Sequence, residues 1–334
     1  MTYRMPAEWT EHEGCLMAWP VRPDLWGDTL DEVQHEYAAV ARAIGEFEPV
    51  TMVAPPGHGD RARELCGEAT TVIELAQDDS WFRDSAPIFV LDEQGRRAGV
   101  DFRFNSWGRK HHPWDSDDRI SGLLLAHLRV PAIRSEMILE GGAITVDGEG
   151  TLITTEQCLL HPNRNPGMSR EEIEAELKER LGVSKVIWLP YGGALDTETD
   201  GHVDGVCAFA APGKVVVQLP ADPEHPDYAR MRANRAVLAA STDAQGRPFE
   251  IVDVPQAAFV EVDGKETEVG YLNFYLANGG VVVPVADHPE DAGALAVLAE
   301  AFPDRKVVGV KSRVIAYGGG GIHCITQQLP AARD

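Results

Sequence analysis

Apolar residues recur at helical spacing in five segments of the chain. In segment 28–47 they are separated by alternating steps of three and four, at Leu30, Val33, Tyr37, Val40, Ile44 and Phe47. Segment 169–181 begins with the capping-box pair Ser169 and Glu172 and is followed by Gly182, a common helix terminator. Segments 227–241 and 290–302, and a segment that begins at Ser116, have a similar pattern. We predict a helix in each.

A second repeated pattern lies between these helices, in which two apolar strands flank a short turn that contains glycine. We predict hairpins from the strand pairs 88–91 with 96–104, 143–146 with 151–154, 206–210 with 215–219, and 273–277 with 281–285. Hairpins that alternate with helices, without a proline- or serine-rich linker, favour a single domain of similar α/β modules over residues 1–334. A doubly wound sheet fits less well, because it needs single strands between helices.

Composition narrows the class of protein. Apolar residues make up 44% and charged residues 25% of the chain, as in ordinary globular proteins. No apolar run is long enough to cross a bilayer, and the first residues lack the features of a signal peptide, so we expect a cytoplasmic protein. The net charge of −23 disfavours nucleic acid and weakly favours a small cationic ligand. Composition leaves open whether the chain forms a homo-oligomer.

The five cysteines, at positions 15, 66, 158, 207 and 324, form no CxxC pair, which argues against a disulfide framework or a zinc knuckle. Cys324 differs from the others because it follows four consecutive glycines and His323. Such glycines let backbone approach a ligand closely. A phosphate-binding loop would need a helix directly after it, and Pro330 follows too soon. We interpret Cys324 as a nucleophile and the other four as packing residues.

Other polar residues stand where the predicted hairpins begin. Trp81 and Asp84 precede the strand at 88, Glu140 precedes the strand at 143, and His202 and Asp204 precede the strand at 206. In a radially repeated fold, equivalent hairpin starts converge on one axial site. We therefore expect these residues to form a single site.

Each of these residues also has an ordinary interpretation. We expect 202–204 to be extended, so that His202 and Asp204 share one face while Val203 faces the core. Such a pair can equally be a structural ion pair or half of a metal site. Asp84 follows an arginine with which it can pair, and Glu140 can belong to a turn.

A cysteine, a histidine and paired carboxylates suit the hydrolysis of a guanidinium group. Asp84 and Asp204 can bind its nitrogens through paired hydrogen bonds. Attack by Cys324, with His202 protonating the departing ammonia, divides a difficult hydrolysis into two steps. The bound cation favours the ionised thiol, because a nearby positive charge lowers a thiol pKa.

These motifs resemble the agmatine deiminase family, within a wider guanidino-group-modifying superfamily that includes bacterial peptidylarginine deiminases. The resemblance covers nearly the whole chain. Its most specific strings are WFRD at 81–84, EGG at 140–142, GHVD at 201–204, NFYLANGG at 273–280 and GIHCITQQ at 321–328.

The resemblance implies a five-bladed α/β-propeller, or pentein, with pseudo-fivefold symmetry. It implies no cofactor and no metal, and the conversion of agmatine and water to N-carbamoylputrescine and ammonia, a step toward putrescine. The implied catalytic residues are Cys324 as nucleophile, His202 as general acid and base, Asp84 and Asp204 as guanidinium anchors, and Glu140, which orients His202 or contacts substrate. The implied substrate-binding residues are Trp81, Trp107 and Gly321.

One departure from the family pattern concerns the tail of the substrate. The basic segment 109–112 follows Trp107-Gly108 where a longer glycine-rich stretch is usual. Basic residues at the mouth of the site would suit a guanidine that bears a carboxylate, whereas a solvated loop would have no such effect. The alternatives are therefore deimination of arginine or peptidyl-arginine, a metal-dependent hydrolase that uses His202, Asp204, Asp84 and His323, and a non-catalytic propeller.

Overall fold

In the computed structural model, which describes residues 2–333, helices alternate with strands along the whole chain. The strands are β1 (Tyr3–Arg4), β2 (His12–Ala18), β3 (Val50–Ala54), β4 (Thr70–Glu74), β5 (Ile88–Asp92), β6 (Arg97–Arg103), β7 (Ala132–Ile138), β8 (Ile144–Val146), β9 (Thr151–Thr155), β10 (Lys185–Leu189), β11 (Cys207–Ala211), β12 (Lys214–Gln218), β13 (Glu250–Val254), β14 (Ala258–Val262), β15 (Lys265–Val269), β16 (Tyr275–Ala277), β17 (Gly280–Val285), β18 (Lys306–Lys311) and β19 (Thr326–Pro330).

The α-helices are α1 (Pro23–Trp26), α2 (Leu30–Gly45), α3 (Gly59–Cys66), α4 (Phe82–Ser85), α5 (Ser106–Arg109), α6 (Asp117–Leu128), α7 (Glu156–Leu159), α8 (Arg170–Leu181), α9 (Tyr228–Ala239), α10 (Asp291–Ala301) and α11 (Arg313–Tyr317). One-turn 3₁₀ helices cover Gly27–Thr29, Gly141–Ala143 and Val203–Gly205. Among residues 2–333, no helix has both the length and the apolar character needed to cross a membrane.

One three-stranded pattern occurs five times within residues 2–333. In each copy two strands pair antiparallel, and the second strand also pairs in parallel with a third strand that returns after a helix. The copies are β5-β6-β7, β8-β9-β10, β11-β12-β13, β16-β17-β18 and β19-β2-β3. The architecture is α/β, with repeated modules as the alternating pattern predicts.

Four of these antiparallel pairs are the hairpins predicted from sequence, and all four are confirmed. The fifth antiparallel pair joins β2 with β19, from opposite ends of the chain, and is not a hairpin. No turn connects its strands, so the local signals that reveal a hairpin are absent. The hairpin of β14 and β15 was also not predicted.

The five predicted helices are confirmed as α2, α6, α8, α9 and α10, with ends that differ from the prediction by about two residues. The capping box at Ser169 and Glu172 is formed in both directions, and Gly182 ends α8 in the left-handed conformation. The apolar stripe of α2 is buried from Val33 to Ile44 against β2 and β3.

The prediction that residues 202–204 are extended is wrong. Gly201 has a φ of +97°, and its N–H, with that of His202, donates to Oδ2 of Asp196 at 3.0 and 3.3 Å. These bonds turn the chain into the 3₁₀ helix Val203–Gly205, although Val203 is buried as expected.

Short helical turns stand directly before three of the hairpins. They are α4 before β5, Gly141–Ala143 before β8 and Val203–Gly205 before β11. The turn Gly141–Ala143 contacts both of the others, so the three hairpin starts meet at one place.

Candidate active site

The thiol of Cys324 lies between side chains from two other modules. Its Sγ is 3.4 Å from Oδ2 of Asp204 and 3.3 Å from Oδ1 of Asn273. Burial, together with the carboxylates of Asp204 and Asp84, raises the pKa of Cys324 well above its usual value. The side chain is therefore a neutral thiol at neutral pH until a positive charge comes close to it.

His202 is buried, and its imidazole has no hydrogen-bond partner on either nitrogen among residues 2–333. Nδ1 lies 3.9 Å from Oδ2 of Asp84, and Nε2 lies 4.0 Å from Oε2 of Glu140. Burial by itself lowers the pKa of His202, but Asp84, Cys158 and Glu140 together raise it well above its usual value. The ring is thus an imidazolium with protons to donate.

Asp84 is held in place by two donors from separate segments. Its Oδ2 accepts the indole N–H of Trp107 and its Oδ1 accepts the backbone N–H of Gly142, both at 2.9 Å. The neighbouring Arg83 donates to Gln327 and Gln328 instead. The alternative of an ion pair between Arg83 and Asp84 is therefore wrong.

Glu140 is completely buried and is anchored through one oxygen only. Oε1 accepts a 2.6 Å hydrogen bond from Nε of Arg164, whereas Oε2 has no partner among the described residues. Gly142, two residues later, is packed closely against the other acids. A Cβ there would lie 2.6 Å from Nδ1 of His202 and 3.0 Å from oxygens of Asp84 and Asp204. Only glycine fits this position, so the EGG string serves the site rather than a simple turn.

A second histidine supports the site from behind Asp204. Nδ1 of His323 lies 3.0 Å from Oδ2 of Asp204, the oxygen that Cys324 also contacts, and Nε2 lies 3.0 Å from Oε1 of Glu8. Burial would lower the pKa of His323, but Glu8 and Asp204 raise it. Burial likewise opposes ionisation of Glu8, but His323 and Arg83 lower its pKa to about 2. Glu8, His323 and Asp204 thus form a buried series of alternating negative and positive charges, and Asp204 contacts the sulfur of Cys324.

Two spaces meet at Cys324. A cavity of about 290 Å³ is lined by Cys324, His202 and Asp204, and a smaller space of about 20 Å³ is lined by Cys324, Trp81, Asp84 and Trp107. Glu198 lines both spaces. The acidic side chains that line them are Asp79, Asp84, Asp196, Glu198, Asp204, Glu266 and Glu268, and the only lysine or arginine among the described lining residues is Lys265.

The basic segment 109–112 is neither a free loop nor a free cationic patch. Lys110 Nζ is 2.7 Å from Oδ1 of Asp200 and also binds the carbonyl oxygens of Thr197 and Glu198. His111 lies 3.0 Å from Oε2 of Glu198, and this hydrogen bond lowers the pKa of Glu198. Two of the four basic side chains therefore pair with the segment that lines the cavity.

The structure brings together all the site residues proposed from sequence. Trp81 and Trp107 line the smaller space, and Gly321 packs on Asn273, where a Cβ would lie 2.6 Å from the amide oxygen. Sequence reasoning assigned no role to Asn273 or Glu8, and it considered His323 only as a metal ligand. Asn273 lies in the string NFYLANGG and His323 in the string GIHC. Both strings resemble the family, but the spacing of their residues does not reveal what Asn273 and His323 do. No signal in the sequence indicated a role for Glu8.

The structure also shows which residues can hold a metal ion. Among residues 2–333, one group qualifies, in which ligand atoms of Glu140, Cys158 and His202 lie within 4.8 Å of one another. It shares only His202 with the set of four considered for a metal-dependent hydrolase. Cys158 is buried, but beside His202 rather than among apolar residues alone.

Comparisons with known proteins agree over nearly the full length. The family model described as Porphyromonas-type peptidyl-arginine deiminase matches residues 4–330. Agmatine deiminase of Pseudomonas aeruginosa (strain LESB58) is 44% identical over 355 residues, which cover 99% of this chain and 96% of that protein. Agmatine deiminase of Stutzerimonas stutzeri (strain A1501) is 44% identical, with 98% and 96% covered. The structure of Enterococcus faecalis agmatine deiminase superposes with a TM-score of 0.95 at 37% identity, covering 98% of this chain and 96% of that one.

Proposed function

The chain belongs to the Porphyromonas-type peptidyl-arginine deiminase family, together with the agmatine deiminases, and on that premise we propose that it converts agmatine and water to N-carbamoylputrescine and ammonia. As a member of this family it is a hydrolase of guanidino C–N bonds. The observation that carries the proposal is a thiol 3.4 Å from Asp204, in a site that Asp84 and the unpartnered imidazolium of His202 complete.

Charge explains why this site takes a guanidinium. Asp84 and Asp204 are carboxylates close to a thiol whose pKa they raise. A planar cation between the two acids supplies the missing positive charge and offers paired N–H donors to their oxygens. The same cation lowers the pKa of Cys324, so the thiol gives its proton to water in the open cavity and the nucleophile forms when substrate is bound.

The reaction then follows in two steps. The thiolate of Cys324 bonds to the guanidinium carbon, His202 gives a proton to an NH₂ group, and ammonia leaves. The carbon now carries the sulfur, one NH₂ and the nitrogen of the chain. Water enters from the open cavity, loses a proton to His202 and bonds to that carbon, and the sulfur departs. Glu140, 4.0 Å from Nε2 of His202, favours the charged form of that ring, and His323 keeps Asp204 ionised and aligned.

The tail of agmatine is a second cation, and the lining suits it. Glu198 lines both spaces beside Cys324, and its carboxylate is about half exposed. Lys110 is already paired with Asp200, so it does not repel an ammonium. A carboxylate tail, as in arginine, would instead face the acidic lining. We therefore favour agmatine over arginine and arginyl peptides.

The repeated three-stranded pattern supports a finer description of the fold. We propose that its five copies are the blades of a propeller around a pseudo-fivefold axis, with the whole chain as one domain. The hairpin starts that carry Asp84, Glu140 and Asp204 would then lie around that axis. We also propose a reducing compartment such as the cytoplasm, because all five cysteines are free and Cys324 must remain a thiol.

One experiment tests substrate and mechanism together. Ammonia release is measured with agmatine, arginine and an arginyl peptide, and protein quenched during turnover of agmatine is digested and analysed by mass spectrometry. We expect agmatine to be the best substrate and the covalent adduct to lie on Cys324. An adduct on another cysteine would overturn the mechanism, and faster turnover of arginine would overturn the substrate.

A further inference from the structure

Three potential metal ligands are buried together beside the substrate site. Ligand atoms of Glu140, Cys158 and His202 lie within 4.8 Å of one another, and all three residues are at most 3% exposed. Cys158 has no part in the proposed reaction. We call these residues the metal-ligand triad.

The triad has unused bonding capacity. Oε2 of Glu140 and both ring nitrogens of His202 lack a hydrogen-bond partner among residues 2–333. Buried polar atoms are rarely left in this state, because each costs free energy when it has no partner. Here three such atoms lie close together, on Glu140 and on a histidine that lines the open cavity, so they are available to a ligand. During turnover that ligand is the substrate. Because the sulfur of Cys158 lies close to the same atoms, a metal ion can be a second ligand.

The chemistry of the triad selects the class of ion. A thiolate, an imidazole and a carboxylate are ligands of Zn²⁺ and Co²⁺, whereas Mg²⁺ and Ca²⁺ prefer oxygen alone. The groups around the triad resemble the outer shell of a metal centre. Arg164 fixes Glu140 through Oε1 at 2.6 Å, and Oδ2 of Asp84 lies 3.9 Å from Nδ1 of His202. His202 also lines the open cavity, which gives access for the ion and for a water ligand.

We propose that Glu140, Cys158 and His202 bind a thiophilic divalent cation such as Zn²⁺ when substrate is absent, and that this ion inhibits the enzyme. The acids that attract the guanidinium attract the ion as well, and an ion bound to His202 removes the proton donor. The inhibition rests on the proposed function, whereas the binding does not.

The test uses Co²⁺, because a cobalt–thiolate bond gives an ultraviolet charge-transfer band and so reports the cysteine directly. Co²⁺ is titrated into Cys324→Ser, which removes the nucleophile as a competing ligand. We expect the band there, and we expect it to disappear in Cys324→Ser/Cys158→Ser. Cys324→Ser/Cys207→Ser is the matched control, because Cys207 is equally buried but lies in an apolar cluster, and it should keep the band. Absence of the band in Cys324→Ser would overturn the proposal, and so would its persistence without Cys158.

A second measurement covers the case in which the double variant fails to fold. Cys324→Ser/Glu140→Gln keeps the thiol and imidazole but removes one ligand, so the band should persist with at least about tenfold weaker Co²⁺ affinity. Unchanged affinity would contradict the triad. In the unmodified enzyme, Zn²⁺ should inhibit turnover and agmatine should protect against it. If no guanidine is hydrolysed, the proposed function fails, while the cobalt spectra still decide the metal site.

Discussion

Two histidines lie beside the acids of the site, His202 near Asp84 and His323 near Asp204, and they differ in one respect. Both ring nitrogens of His323 are bonded, to Asp204 and Glu8, whereas neither nitrogen of His202 has a partner among residues 2–333. The hydrogen-bonding capacity of His323 is therefore filled within the fold and that of His202 is not, although both residues are buried. Because His202 also lines the cavity beside Cys324, its unpartnered nitrogens are available to a ligand, whereas the bonded ring of His323 holds the site in shape. The surroundings of the two histidines should therefore respond differently to mutation.

The largest effect on activity is expected at the nucleophile. Replacing Cys324 with Ser should reduce kcat on the order of 10⁵-fold, because the first covalent step is lost. The thermal midpoint should hardly change, since serine keeps the size of the side chain and a donor for Asp204. Cys66→Ala, in a cysteine that lines neither space, is the control and should keep full activity. Comparable loss in both variants would contradict the assignment.

His202 should have the second largest effect on activity. His202→Gln should lower kcat about 10³-fold, because proton transfer to the departing ammonia is lost. Its free energy of unfolding at pH 7 should fall as well, because the imidazolium offsets the buried charges of Asp84 and Glu140, which raise its pKa. Chemical denaturation and kcat measured on the same samples decide this. A kcat within tenfold of that of the unmodified enzyme, in folded His202→Gln, would contradict the proton transfer and would remove the contrast with His323.

Glu8 should affect the stability of the fold rather than the chemistry. The pKa of Glu8 in the folded protein is about 2, below its ordinary 4.5, so its ion pair with His323 stabilises the fold above pH 4.5 and loses this effect as the pH falls toward 2. Glu8→Gln should cost roughly 3 kcal/mol at pH 7 and progressively less below pH 4.5. Denaturation of both proteins at pH 7 and pH 3 gives the two differences. A difference that does not shrink in acid would mean that packing, not charge, is lost.

Whether a feature of the fold or the site can be predicted from sequence depends on how far apart along the chain its residues lie. Local signals predict three kinds of feature: apolar spacing predicts the helix around Val33, capping predicts the helix after Ser169, and a glycine turn predicts the hairpin that includes Thr151. His202, Asp204 and Cys324 stand beside glycines at hairpin starts, so they could be identified as a site. The pairing of β2 with β19, and the contact of Glu8 with His323, join opposite ends of the chain and have no local signal. The turn at Val203 depends on Asp196, which caps the chain through its side chain.

Glu198 should affect binding rather than chemistry. Glu198→Gln should raise KM for agmatine about tenfold, equivalent to about 1.4 kcal/mol, with little change in kcat, because the tail ammonium is bound equally in the ground and transition states. N-butylguanidine, which lacks that ammonium, provides the matched substrate, and its KM should not change. An equal rise for both substrates would show that Glu198 shapes the site without binding the tail.

The smallest effect is expected at Lys110, and it decides between the two interpretations of segment 109–112. Lys110 is about one quarter exposed and pairs with Asp200, an arrangement that contributes at most about 1 kcal/mol. Lys110→Met should therefore change KM for agmatine by about threefold or less, through loosening of the segment that carries Glu198. Lys306→Met, which removes a surface pair with Glu46 outside the site, is the matched control. The ratio of kcat/KM for arginine to that for agmatine should stay the same in both variants. If Lys110→Met alone lowers this ratio tenfold, the basic segment binds a carboxylate tail, and the acidic lining at Glu198 does not select the substrate.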